Sequence, residues 1–161
     1  MKVKKIISEW YQDYKLPSEY IFTAFCDGKC CREAGIPMSV CHNDEWRAIA
    51  PVKMDDDKII QEYLQNPITK AIVFGGLEPF EQFEEMFELI YKLRTEYHCD
   101  DTVVIYTGYN KKEIEAQVGF LSMFKNIIIK FGRFVPNQEP KYDDVLGVTL
   151  ASPNQYAERI N

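Results

Sequence analysis

Ala71-Ile72-Val73-Phe74-Gly75-Gly76-Leu77-Glu78-Pro79-Phe80 is the stretch that decides the fold. Four apolar residues run unbroken, as in a parallel strand buried on both faces. Gly75-Gly76 ends the run. Pro79 suits the first turn of a helix. Phe80, Phe83, Phe87, Ile90, Tyr91 and Leu93 then recur at helical spacing as far as Tyr97. The same strand–turn–helix unit follows: a strand over Thr102–Tyr106, the turn Thr107-Gly108-Tyr109, a helix over Lys111–Val118 and a third apolar strand over Asn126–Phe131. Upstream, Glu19 to Phe25 is β-branched and aromatic and reads as a strand. Asp55 to Gln65 reads as a helix with the acidic start that the macrodipole favours, ended by Asn66-Pro67. Ile6, Ile7, Trp10 and Tyr14 fit an amphipathic helix over 1–14, within an N-terminal helical extension of residues 1–18. Past Phe131 only Val148-Thr149-Leu150 reads as a strand. The expected class is α/β with a mostly parallel sheet, in one domain over 1–161.

In such sheets the chemistry sits at the carboxyl ends of the strands. The turn after Phe74, the turn after Tyr106 and the cysteine-rich loop after Phe25 should therefore meet on one edge. The 161 residues can bury roughly 69% of their unfolded surface, so a core needs no disulfide staples. No apolar run reaches the roughly 20 residues of a membrane helix. The start Met1-Lys2-Val3-Lys4-Lys5 is basic, but acidic and aromatic residues follow too soon for a signal peptide. A cytoplasmic protein is expected. The formal charge of −6 argues against holding a nucleic-acid backbone by bulk electrostatics.

Four of the five cysteines, Cys26, Cys30, Cys31 and Cys41, fall within sixteen residues; Cys99 stands apart. In a reducing compartment, clustered thiols read as a metal or catalytic site before disulfides. The spacing Cys-x3-Cys-Cys-x9-Cys gives only one clean short pair, whereas zinc sites favour two well-separated pairs. Three ligands are easier to bring together: Cys26, one of Cys30 and Cys31, and Cys41. On a four-iron cluster they leave one iron open to a ligand. A closed zinc site and inert thiols are the alternatives.

These residues resemble the radical S-adenosylmethionine enzymes, and within them the activating proteins of anaerobic ribonucleotide reductase. Cys26-Asp27-Gly28-Lys29-Cys30 has the superfamily's Cys-x3-Cys opening just after the first strand. Cys41-His42-Asn43-Asp44-Glu45-Trp46 resembles the stretch beginning at the third cluster cysteine. Gly75-Gly76-Leu77-Glu78-Pro79 resembles the Gly-Gly-(Asp/Glu)-Pro turn, and Thr107-Gly108-Tyr109 the Thr-Gly-Tyr turn. Gly132-Arg133-Phe134 and Ser152-Pro153-Asn154-Gln155 resemble two late segments. The order is kept over residues 20–156. Three departures stand out. Ten residues separate Cys30 from Cys41 where the family has two, Leu77 is inserted before the acid, and Phe131 replaces the usual Asp.

The resemblance implies a minimal partial (β/α) barrel. Its [4Fe–4S] cluster is held by Cys26, Cys30 and Cys41, with Cys31 as the alternative second ligand. The open iron takes S-adenosylmethionine, and reductive cleavage gives a 5′-deoxyadenosyl radical. That radical abstracts hydrogen from a glycine of a large glycyl-radical enzyme such as anaerobic ribonucleotide reductase. A flavodoxin-like or other low-potential donor supplies the electron; no nucleic acid or membrane takes part. Val40, His42, Asn43, Gly75, Gly76, Glu78, Thr107 and Tyr109 are the implied cofactor contacts. Two other readings stand beside this one. The first is a radical enzyme of the same minimal form acting on another protein, a peptide or a small molecule. The second is a zinc- or cluster-stabilised binding module without catalysis.

Overall fold

A computed structural model describes all 161 residues. In chain order the strands are β1 (Lys2–Trp10), β2 (Ser18–Thr23), β3 (Val52–Lys53), β4 (Ala71–Gly75), β5 (Thr102–Tyr106), β6 (Ile127–Phe131), β7 (Lys141–Asp143), β8 (Val148–Leu150) and β9 (Tyr156–Arg159). The helices are α1 (Lys29–Ala34), α2 (Asp44–Ala48), α3 (Asp56–Gln65), α4 (Phe83–Thr95) and α5 (Glu115–Leu121). Seven strands form one mixed sheet in the order β3-β1-β2-β4-β5-β6-β9, and β7 and β8 form a separate hairpin. The central four, β2, β4, β5 and β6, are parallel. They are flanked by antiparallel β9 on one side and antiparallel β1 on the other, and the short β3 pairs antiparallel with β1 beyond it. No helix is long and apolar enough to cross a membrane.

Side chains alternate across each strand, so the sheet has two different faces. Ile21, Ile72, Phe74, Val103, Ile105, Ile127, Ile129 and Phe131 pack with the apolar sides of α3, α4 and α5 in the main core. Burying such a face is what holds these short helices in place. Tyr20, Phe22, Val73, Val104 and Ile128 point the other way. Tyr14, Leu146 and Leu150 cover them, brought by the segment 11–17 and the β7–β8 hairpin, and Trp46 of the short α2 packs on Phe22. The main cavity lies along this second face.

The N-terminal helix expected over 1–18 does not form; residues 2–10 are β1, paired to β2 from Val3 against Thr23 to Trp10 against Ser18. Ile6 packs into the helical core while Ile7 and Trp10 pack on the other face. Register shifts between Val3 and Lys5 and between Ile7 and Trp10 interrupt the alternation. Such bulges leave apolar positions at 6, 7 and 10, which imitate helical spacing. Two other helices open on 3-10 turns, Pro79–Gln82 before α4 and Lys111–Ile114 before α5. The region after Phe131 holds three strands where the sequence showed one. β9 is the consequential addition, since it pairs with β6.

Glu19, on β2, is 1% exposed; Ser8 Oγ lies 3.4 Å from Oε2, and Oε1 has no partner. Burial pushes its pKa up to about 7. The folded state therefore holds a proton that the unfolded chain releases near its ordinary carboxyl pKa of 4.5. Stability from this group is present below about pH 4.5 and is lost as pH rises from there through about 7, at most about 3 kcal/mol. Glu19→Gln removes that slope. Melting curves at pH 5 and pH 8 should show the variant gaining on wild type only at the higher pH; an equal gain at both would refute the assignment.

Candidate functional site

β2, β4 and β5 are neighbours and parallel, so their carboxyl ends open onto one edge. The cysteine loop leaves β2, the Gly75-Gly76 turn leaves β4 and the Thr107-Gly108 turn leaves β5. Hydrogen bonds join the three. Glu78 N donates to Phe25 O at 2.8 Å, Thr107 Oγ1 to Glu78 Oε1 at 2.7 Å, and Gly108 N to Glu78 Oε2 at 2.9 Å. Phe80 N, at the start of the following turn, also donates to Glu78 Oε1, at 3.2 Å.

Beside this junction lies a cavity of about 630 Å³. Cys26, Cys30, Cys31 and Cys41 all line it, as do His42, Asn43, Gly76, Glu78 and Thr107. The thiols lie in two pairs. Cys26 is close enough to Cys30, and Cys41 to Cys31, to raise the neighbour's thiol pKa. Burial and then Glu78 push Cys30 up to about 11, and burial raises Cys26 although Gly28 N donates to its sulfur at 3.3 Å. Such thiols become ligands by yielding their protons to a metal.

The donor set fits a cluster. A single tetrahedral ion with Zn–S near 2.3 Å needs its thiols within about 3.8 Å of one another. No three His, Cys, Asp or Glu side chains converge in that way. A four-iron cluster places each thiolate on a different iron and so asks for wider spacing. Four soft donors line one cavity, the donor type such a cluster takes.

Three implied contacts, Val40, Gly75 and Tyr109, lie outside the cavity. Val40 is exposed and outside the cavity. Gly75 backs onto the Tyr20 hydroxyl, and Gly76 onto the Phe22 ring, so both glycines make room for aromatic side chains of the second face. Tyr109 lies outside too; its hydroxyl donates to Glu81, and Lys29 sits over its ring at 5.1 Å. The two late motifs bind each other. Asn154 Nδ2 donates to Arg133 O at 2.8 Å and Gln155 Nε2 to Gly132 O at 3.4 Å.

Much of the rest of the lining comes from outside the sequence motifs. Trp10, Tyr20, Phe22 and Trp46 form a run of aromatic contacts with ring centroids 5.2, 4.5 and 4.4 Å apart. Asp13, Tyr106 and Lys130 also face the cavity. Lys130 Nζ is buried and donates to Gly132 O at 2.9 Å, with Thr107 O at 3.5 Å. Thus the Thr107–Gly108 peptide lies between a buried ammonium at its carbonyl and a buried carboxylate at its N–H. Burial draws Lys130 down to about 8 and Glu78 up to about 7, and each charge partly offsets the cost of the other. The sequence carried one signal for Lys130, a lone charge in the apolar run Ile127-Ile128-Ile129-Lys130-Phe131.

No curated protein and no solved structure matches the chain. A family model does, over residues 21–150, from β2 through the cysteine loop and the sheet to the end of the hairpin. By that match the chain belongs to the family of 4Fe-4S single cluster domains.

Proposed function

We propose that this chain is a radical S-adenosylmethionine activase that installs a glycyl radical on a large partner such as anaerobic ribonucleotide reductase. The observation that carries the reading is the meeting of three loops at one cavity: the Cys-x3-Cys loop, the Gly-Gly-x-Glu turn and the Thr-Gly turn. The family match supports it, because this cluster domain occurs in radical S-adenosylmethionine-type proteins. Cys26, Cys30 and Cys41 would hold the cluster, whose chemistry is one-electron reduction of a bound sulfonium to give a carbon radical.

The chain's own residues bind and shield. A carboxylate has about four acceptor positions; Glu78 spends three on Thr107, Gly108 and Phe80 and keeps one for a ligand ammonium. Lys130 partly compensates the buried Glu78 carboxylate. Phe22 and Trp46, with rings 4.4 Å apart, give an apolar wall beside the Cys41 loop. Tyr14, Leu146 and Leu150 close the second face and limit solvent access to it.

The test is anaerobic. Protein reconstituted with iron and sulfide, reduced and given S-adenosylmethionine, is expected to release 5′-deoxyadenosine, and Cys41→Ala to release none. A fully loaded protein that neither forms this product nor changes its electron paramagnetic resonance spectrum with S-adenosylmethionine overturns the reading. Product without a glycyl signal on the added reductase moves the assignment to a different substrate.

A further inference from the structure

α1 carries Cys30 and Cys31, yet it has little to hold it. It is six residues long, buries only Cys31, and starts at Gly28 with no side-chain cap. A helix that short does not persist on its own hydrogen bonds. Charges outside the cavity take up the task, and they converge on Glu113.

Four donors meet on that carboxylate. Arg133 Nη1 and Nη2 reach Oε2 and Oε1 at 2.7 Å each, a bidentate fork. Lys29 Nζ, from α1, reaches Oε1 at 2.6 Å. Asn110 N, closing a capping box after β5, reaches Oε2 at 2.8 Å. One carboxylate therefore ties α1, the loop after β5 and the chain leaving β6. Arg133 is mostly buried, also lies against Glu33 of α1, and has Nη1 3.5 Å from Gly108 O. Gly108 in turn lies against the Cys30 sulfur. The ties run from both sides toward one thiol.

We infer that Glu113 is a positioning residue for Cys30: through Lys29 and Arg133 it fixes the helix that presents this thiol to the cluster. The inference rests on the cluster reading of the cysteines. It also gives Gly132-Arg133-Phe134 a use in this chain, since Arg133 is the arm that anchors Glu113 to the sheet. The clamp stays outside the cavity, so it acts on the thiol without touching a ligand.

The test measures iron release from the reconstituted full-length protein to a ferrous chelator, without turnover. Glu113→Gln and Lys29→Gln should each speed release roughly fivefold, the scale of a partly exposed charge pair. The double variant should be no faster than the worse single one, because both break one network. Lys58→Gln, which breaks an exposed pair on α3, should release iron like wild type. Raising salt to 1 M cuts the screening length to about 3 Å and should bring wild type toward Glu113→Gln. Melting temperatures should stay together. Faster release that merely tracks a lower melting temperature, or independent effects in the double variant, overturns the positioning role. Variants as retentive as a loaded wild type overturn it alone; a wild type that takes up no cluster overturns the cluster reading with it.

Discussion

Gly108→Ala should yield a folded protein that cannot keep iron. A Cβ built on Gly108 would collide with Cys30 Sγ, and 3.6 Å away it meets Glu78 Oε2. Backbone is not in the way, so the cheapest relief is rotation of the Cys30 side chain to another rotamer. That costs the fold only about 1 kcal/mol, but it carries the sulfur away from the cavity. Iron and sulfide content after reconstitution should fall to near background, while the melting temperature moves little. Gly119→Ala, in α5, is the control: its Cβ meets nothing within 4 Å, and a helical alanine gains up to about 1 kcal/mol. Full iron retention in Gly108→Ala would show that Cys30 is not a ligand and hand the position to Cys31.

Phe74→Ala should do the reverse, damaging the fold first. Phe74 is fully buried on β4, between β2 and β5, on the face covered by helices. Truncating such a side chain costs about 3–5 kcal/mol in lost transfer energy and cavity. That is a large share of a typical stability of about 5–15 kcal/mol, and it should lower the melting temperature by roughly 10 °C. Phe120→Ala, at a side chain 56% exposed, should cost under about 1 kcal/mol. A Phe74→Ala protein melting within a few degrees of wild type would mean the surrounding isoleucines and leucines collapse into the gap.

Local patterns carried much of this in advance. The strands at Ala71 and Thr102 were legible because parallel strands are apolar on both faces and end at glycine turns. Their adjacency then brings the turns after Phe74 and Tyr106 to the cysteine loop. β1 was misread because two bulges gave its apolar residues a helical rhythm. β9 was missed because Tyr156-Ala157-Glu158-Arg159 has no strong strand composition; its partner β6 supplies the reason for its conformation. Within the site, short motifs pointed to Cys26, Cys30, Cys41, Glu78 and Thr107. Trp10, Asp13 and Lys130 lie in segments whose approach to the cavity depends on tertiary packing, and Glu113 shows locally only as half of a capping box.

The unequal covering of the two sheet faces bears on how the molecule opens. The helical face joins 22 buried residues in one cluster, whereas the other face joins 9 under a strap and a short hairpin. Local unfolding follows the cheaper route. Amide protons of β7, β8 and residues 11–17 should exchange with solvent well before those of β4 and β5, while α4 remains protected. The aromatic wall of the cavity would then become accessible through a breathing motion that leaves the main core intact. Such a motion opens that wall to solvent without the sheet itself being disturbed.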